Sequence, residues 1–174
     1  MNNLACVSRS NLRQGAVYML VGLIWGMMVP ATPFPRLALT AHIQLTANGV
    51  MFLVAGLVIS HLPSAKGGVS ARVLVAGPWL TWPVMLTEMA NAWWGARNML
   101  PIAAGQAGAA GAPAWQEGVV TAAHLIGAVV LIVYWGVILG GLFRKPGKGC
   151  EATSDQPPAG TSSERHPTAG HPTA

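Results

Sequence analysis

Four long apolar stretches, broken by short polar or proline-rich segments, fill most of this chain, at about 14–32, 37–62, 71–100 and 117–143. A helix needs roughly 20 mostly apolar residues to cross a hydrocarbon core about 30 Å thick. Each stretch meets or approaches that length, so the pattern predicts four membrane-spanning helices. The first carries no charge after Arg13 and is closed by Pro30, Pro33 and Pro35. The third contains Pro78 and Pro83, which remove backbone donors from a helix. It is also longer than the bilayer requires, which predicts a tilted or broken helix. Backbone groups freed by those prolines must then find partners inside the bundle.

Outside the spans the character changes. Residues 1–13 form a short polar lead-in, and 101–115 is rich in Gly and Ala, fitting either a flexible loop or a lid folded over a cavity. Residues 145–174 are rich in Pro, Gly, Ser and Thr without apolar periodicity. Such a segment cannot bury enough surface to offset its ordering entropy and is expected to be disordered. The predicted fold class is therefore all-α: an integral membrane four-helix bundle over 14–144, followed by a disordered polar tail.

Composition supports that division. Of 174 residues, 52% are hydrophobic and 9% charged, against roughly 25% charged in ordinary soluble domains. The formal net charge of +5 raises the question of nucleic acid. However, the basic residues sit at the ends of apolar runs, with no basic stripe or aromatic-interleaved patch, so no nucleic-acid partner is expected. Their distribution follows the positive-inside pattern instead. Arg9 and Arg13, then Lys66 and Arg72, then Arg144, Lys145 and Lys148 fall on one side, with Arg36 and Arg97 opposite. Both termini are thus expected in the cytoplasm, consistent with an even number of spans. No small-residue cleavage site follows the first run, which reads as a retained span. Cys6 and Cys150 lie near opposite ends without metal-ligand spacing, and on one cytoplasmic face they are not expected to pair.

Polar residues at membrane depth are costly and commonly mark a cavity or an interface. The second span holds His42, Gln44 and Asn48. His42 and Asn48 lie about 120° apart around a helix and about 9 Å along it, so one bound ligand can meet both. His42 alone reads equally as a metal or haem ligand, a general base or a packing donor. In the third span, Glu88, Asn91 and Gly95 follow one helical face. Glu88 is the only acid well inside a span. It serves either chemistry or a pair with a basic or amide group from another helix. His124, in the fourth span, offers a second axial position beside His42, although no motif supports a bis-histidine haem. Trp93 and Trp94 can wall an aromatic pocket or act as interfacial anchors like Trp25, Trp82, Trp115 and Trp135. Gly49 with Gly56, and Gly136 with Gly140, offer faces for close helix contact and for a homo-oligomer.

In their order and spacing, Pro35-Arg36-Leu37, His42, Asn48-Gly49, Trp94-Gly95, the run Met99 to Gly105 and Trp115-Gln116-Glu117-Gly118 resemble the hydroxylaminobenzene mutase family. The likeness covers roughly 14–144. That family is similar to styrene oxide isomerase, a four-span enzyme that holds haem b between the subunits of a trimer. Its axial histidine opens the second span with an asparagine six residues on, a spacing matched by His42 and Asn48. The isomerase's functional tyrosine follows an asparagine by four residues; if that asparagine is Asn91, the tyrosine position is Gly95.

The resemblance implies an isomerase in the bacterial inner membrane that converts hydroxylaminobenzene to 2-aminophenol. It implies a haem b iron on His42 acting as Lewis acid on the hydroxylamine oxygen. Asn48 would orient the substrate and Asn91 would share the site. Trp93 or Trp94 would hold the aromatic ring, and Glu88 would move the proton lost from the ortho carbon. A homotrimer is the implied assembly, with lipid as its surround. Two further classes stay open: an epoxide-to-aldehyde isomerase of the styrene oxide type, and a small four-span transporter using Glu88 as its coupling acid.

Overall fold

The computed structural model of the protein describes residues 3–62 and 68–143. The tail at 145–174, with Cys150, lies outside them. Every element among the described residues is helical. Helix α1 runs Asn3–Met28 and passes through one 3-10 turn, Val29–Ala31, into α2, Pro35–Ser60. Then follow α3 (Gly68–Leu80), α4 (Trp82–Trp94), the short α5 (Pro101–Gln106) and α6 (Ala114–Leu142). Four segments are long and apolar enough to cross a membrane: Leu4–Ala31, Pro35–Ser60, Val69–Trp94 and Ala114–Leu142.

The prolines set the breaks. Pro30 stands in the 3-10 turn that ends α1, and Pro35 occupies the first position of α2, where its fixed φ suits helix initiation and its missing donor costs nothing. Helix α1 begins well before Gln14, so residues assigned to the polar lead-in are its first turns. The third span is two helices rather than one, with Thr81 between them. It stops at Trp94 rather than at 100. Gly95 caps α4 with a φ of 67°, in the left-handed region, which glycine enters without steric cost. Gly95 therefore ends the helix that was expected to carry it on the Glu88–Asn91 face.

Helices α1 and α2 form the closest pair, α3 packs on α1 and α6, and α4 packs on α2 and α6. The α1–α2 seam is tight because glycines line it. A Cβ on Gly15 would lie 2.7 Å from the Leu53 nitrogen and 2.8 Å from the Gly49 carbonyl oxygen, neither of which can swing aside. Gly49 and Gly56 bury against Met19 and Leu12 of α1. Gly136 and Gly140, by contrast, meet nothing within 4 Å among the described residues; their expected close contact is not made within this bundle. Leu125, Ile126, Val129, Ile132 and Val133 of α6 stand exposed, as lipid-facing residues do.

The broken third span is repaired from α1. Pro78 offers no N–H to the Leu74 carbonyl four residues back. The Asn11 side-chain amide donates to that carbonyl at 3.0 Å and to its own Val7 carbonyl at 2.9 Å. The Asn11 oxygen accepts the Tyr134 hydroxyl at 2.6 Å, tying α6 into the same knot. One turn on, the Pro78 carbonyl accepts the Thr81 hydroxyl at 2.9 Å and lies 2.9 Å from the Tyr18 hydroxyl, which is also 2.7 Å from the Thr81 hydroxyl. Gly77 leaves the room that the Tyr134 ring occupies. Residues 101–115 do not form an open loop: α5 and the turn after it bury Ala104 and Ala109 against Leu37 at the start of α2.

Two substitutions probe these features. Asn11→Leu leaves the Leu74 carbonyl and the Tyr134 hydroxyl without a partner, and it should destabilise the bundle by about 2–6 kcal/mol for two unmet groups. Gly15→Ala should cost about 1–3 kcal/mol by forcing α1 off α2. Thermal unfolding in mild detergent, with the wild type alongside, reads both.

Candidate functional site

Helices α2, α4 and α6 meet at one acid. Glu88 on α4 has no solvent exposure. Its Oε1 accepts the Gln44 side-chain N–H of α2 at 2.7 Å and lies 2.6 Å from the His124 Nε2 of α6. The other ring nitrogen, Nδ1, is 2.7 Å from the Val120 carbonyl. A carbonyl only accepts, so Nδ1 carries a proton, and a single further proton lies between Nε2 and Oε1. Either placement of that proton, on the imidazole or on the carboxyl, contains the same number of protons. Glu88 thus has the partners its sequence position called for, a basic group and an amide from two other helices.

Two acceptors in this cluster lack partners. Glu88 Oε2 and Asn48 Oδ1 are both buried without a hydrogen bond, an arrangement that costs free energy unless something supplies a donor. The Asn48 amide donates to the Gln44 carbonyl at 2.8 Å and touches the Met85 sulfur at 3.9 Å. Gln44 therefore faces Glu88 while Asn48 faces Met85, one turn earlier on α4, so α2 and α4 run antiparallel here.

His42 lies on a different face. Its Nδ1 is 2.8 Å from the Gly22 carbonyl of α1, so that nitrogen donates and Nε2 keeps its lone pair. The ring rests where Gly26 has no side chain; a Cβ there would sit 2.8 Å from Nδ1 and 2.9 Å from Cε1. A metal-ligating imidazole has this form, one nitrogen donating to a carbonyl and the other bare. His42 thus turns towards α1 and Asn48 towards α4; the structure does not bring the two side chains together. His124 has both nitrogens engaged, which removes it as a second axial ligand.

The remaining expected site residues occupy the end of α4. Asn91 binds one residue through both ends of its amide, donating to the Ala96 carbonyl at 3.1 Å and accepting the Ala96 N–H at 2.7 Å. It brackets the turn that Gly95 opens. Trp93 is exposed and meets Trp25 edge-on at 5.7 Å, while the half-buried Trp94 meets Trp115 at 5.5 Å. Beyond them, an open groove of about 710 Å³ is lined by Arg97, Asn98, Gly111, Glu117, Thr121 and Leu125, among others. Its edge is organised by Glu117, whose two oxygens accept the backbone N–H groups of Arg97 (2.9 Å), Asn98 (2.9 Å) and Ala112 (3.1 Å). Sequence reading found no role for Glu117, because its three partners are backbone amides from 97–112.

The family model described as styrene oxide isomerase matches residues 7–143. Hydroxylaminobenzene mutase HabB of Ectopseudomonas oleovorans is 31% identical over 158 residues, which is 90% of this chain and 92% of that protein. Hydroxylaminobenzene mutase HabA of the same organism is 32% identical over 94 residues, 53% of this chain and 68% of its own length. No solved structure matches significantly.

Glu117→Gln tests the clasp. An amide presents one oxygen where the carboxylate presents two, so at least one of the three N–H groups loses its acceptor, at a cost of about 1–3 kcal/mol. Residues 95–113 should then be cleaved faster in limited proteolysis while the membrane spans stay protected; an unchanged cleavage pattern would show that Glu117 does not hold this segment.

Proposed function

Because the chain belongs to the styrene oxide isomerase family and is an integral membrane isomerase, we propose that it rearranges hydroxylaminobenzene to 2-aminophenol. The observation that carries this reading is the match over 90% of the chain to a protein named for that substrate. In the reaction the N–O bond breaks, a C–O bond forms at the ortho carbon, and a proton moves from that carbon to the nitrogen. No oxidant or reductant is consumed.

The residues present fit a haem b on His42. Its tautomer is fixed by the Gly22 carbonyl, and the space beside Gly26 admits the ring flat against α1. Bound there, ferric haem supplies a Lewis acid for the hydroxylamine oxygen. The chain's own residues do the rest of the work in this reading. Asn48, which turns towards α4 rather than towards His42, would serve a substrate that reaches the α2–α4 side, its unpaired Oδ1 accepting a hydrogen bond from the substrate N–H or O–H. Glu88 receives the ortho proton. The apolar faces of α2, α4 and α6 exclude water that would otherwise trap a cationic ring. Trp93 and Trp94 contribute only by contacts made outside the bundle core, and Asn91 acts by holding the α4 terminus. We extend the proposal to a homotrimer in the bacterial inner membrane with both termini cytoplasmic.

Epoxide isomerisation is the second reading, favoured by the family name. Against it stands Gly95, which takes the place of the isomerase tyrosine when that family's asparagine is equated with Asn91. The Gly95 backbone is left-handed, and a Cβ there would lie 2.7 Å from the Phe34 ring, so no phenol fits at that point.

Membranes containing the protein should form 2-aminophenol from hydroxylaminobenzene, and empty membranes should not. His42→Ala should lose both turnover and haem absorbance, and Gly26→Val should weaken haem retention by crowding the ring. Full turnover by His42→Ala would exclude the haem assignment. Conversion of styrene oxide alone, to phenylacetaldehyde, would replace the mutase reading with the second one.

A further inference from the structure

We infer that His124 and Gln44 set Glu88 up to exchange one proton with the substrate through Oε2, while the proton shared between His124 Nε2 and Oε1 stays within the pair. This rests on the mutase reading for its substrate, but not for the existence of the pair.

Several observations converge on it. The Nδ1 nitrogen of His124 is committed to the Val120 carbonyl, so Nε2 faces Glu88 in one fixed tautomeric sense. Gln44 donates to the same Oε1, and a side-chain amide cannot release that proton. Oε1 is therefore saturated, with one fixed hydrogen bond and one shared proton. Oε2 is left bare inside the protein, with no hydrogen-bond partner. A fully buried carboxylate paired on one oxygen and unpaired on the other is costly as a purely structural element. Two apolar residues would close the same gap between α4 and α6 at lower cost.

The proton balance of the rearrangement suits this asymmetry. The ring must lose a proton at the ortho carbon, and the nitrogen must gain one. With His124 as imidazolium, Glu88 is ionised and Oε2 accepts the ortho proton. The pair then holds two protons, and Oε2 returns one to the nitrogen. After one turnover the cluster is back in its starting state. Glu88 has no solvent exposure, so Oε2 does not exchange its proton directly with bulk water. The unpaired Asn48 Oδ1 stands one turn from Gln44 on α2, so an acceptor for the substrate's N–H or O–H and the proton-accepting Oε2 come from adjoining turns of α2 and α4. In this scheme Glu88 is the catalytic residue, while His124 and Gln44 are positioning residues that act through it.

The test pairs a substrate-free spectrum with kinetics, both on the full-length protein in lipid bilayers. Nitrogen NMR of histidine-labelled protein should place the His124 Nε2 signal away from the bare lone-pair position, and Glu88→Gln should return it there. In turnover, His124→Gln keeps a donor to Glu88 but supplies no positive charge to hold Glu88 ionised and ready to accept at Oε2. Its kcat should fall on the order of 100-fold, with KM little changed. A role confined to holding α6 in place would instead lower stability and leave kcat per folded protein intact. The inference is overturned if the His124 signal is the same in wild type and Glu88→Gln, or if folded His124→Gln turns over at the wild-type rate. If His124→Gln does not fold, the Glu88→Gln spectrum decides alone. A wild type that does not convert hydroxylaminobenzene but keeps the displaced signal would sink the substrate reading and leave the proton pair standing.

Discussion

Inside a bilayer a polar group has no water to turn to, and each one left unpaired costs several kcal/mol. The organisation of this bundle follows from how it meets that demand at Pro78. The proline breaks the third span and frees the Leu74 carbonyl, which Asn11 of α1 takes up; Asn11 in turn holds Tyr134 of α6. One knot of side chains therefore joins three of the four spans. Tyr18 repeats the device a turn later, at the Pro78 carbonyl and Thr81. The break also sets the direction of α4, and hence where Glu88 points.

At Glu88 the same demand is met only in part. Gln44 and His124 satisfy one carboxylate oxygen and leave the other, with Asn48 Oδ1, unmet. The bundle is repaired at the Leu74 carbonyl, where Pro78 breaks its backbone, and incompletely repaired where Glu88 is buried. The first is what stability requires. The second is what a site awaiting a donor-bearing substrate requires, and hydroxylaminobenzene carries two donors, N–H and O–H, on adjacent atoms.

Much of this was legible in the sequence. Length and hydropathy define four spans, and Pro78 with Pro83 locates the break, because both signals are local. Glu88 as the acid well inside a span was legible for the same reason. What spacing along one helix cannot say is which residue on another helix turns towards it. His124 was visible as a polar residue in the fourth span, yet its pairing with Glu88 depends on how α6 is rotated against α4. Likewise Asn11, read as part of a polar lead-in, is a core residue, because α1 begins at Asn3. The Asn48 and His42 spacing suggested a shared ligand, but the two side chains diverge to α4 and α1. Glu117 stood in one of the motifs of the resemblance, but its clasp on 97–112 was not legible, because its partners are backbone N–H groups, which leave no trace in composition.

In the proposed reaction an apolar bundle carries out an intramolecular rearrangement with water held away. The most direct test is to run the conversion in water enriched in heavy oxygen and weigh the 2-aminophenol formed. The account predicts product that keeps the substrate's own oxygen, with no label gained. Label in the phenol hydroxyl would mean that water attacks the ring within the site, and the enclosed-rearrangement account would be wrong.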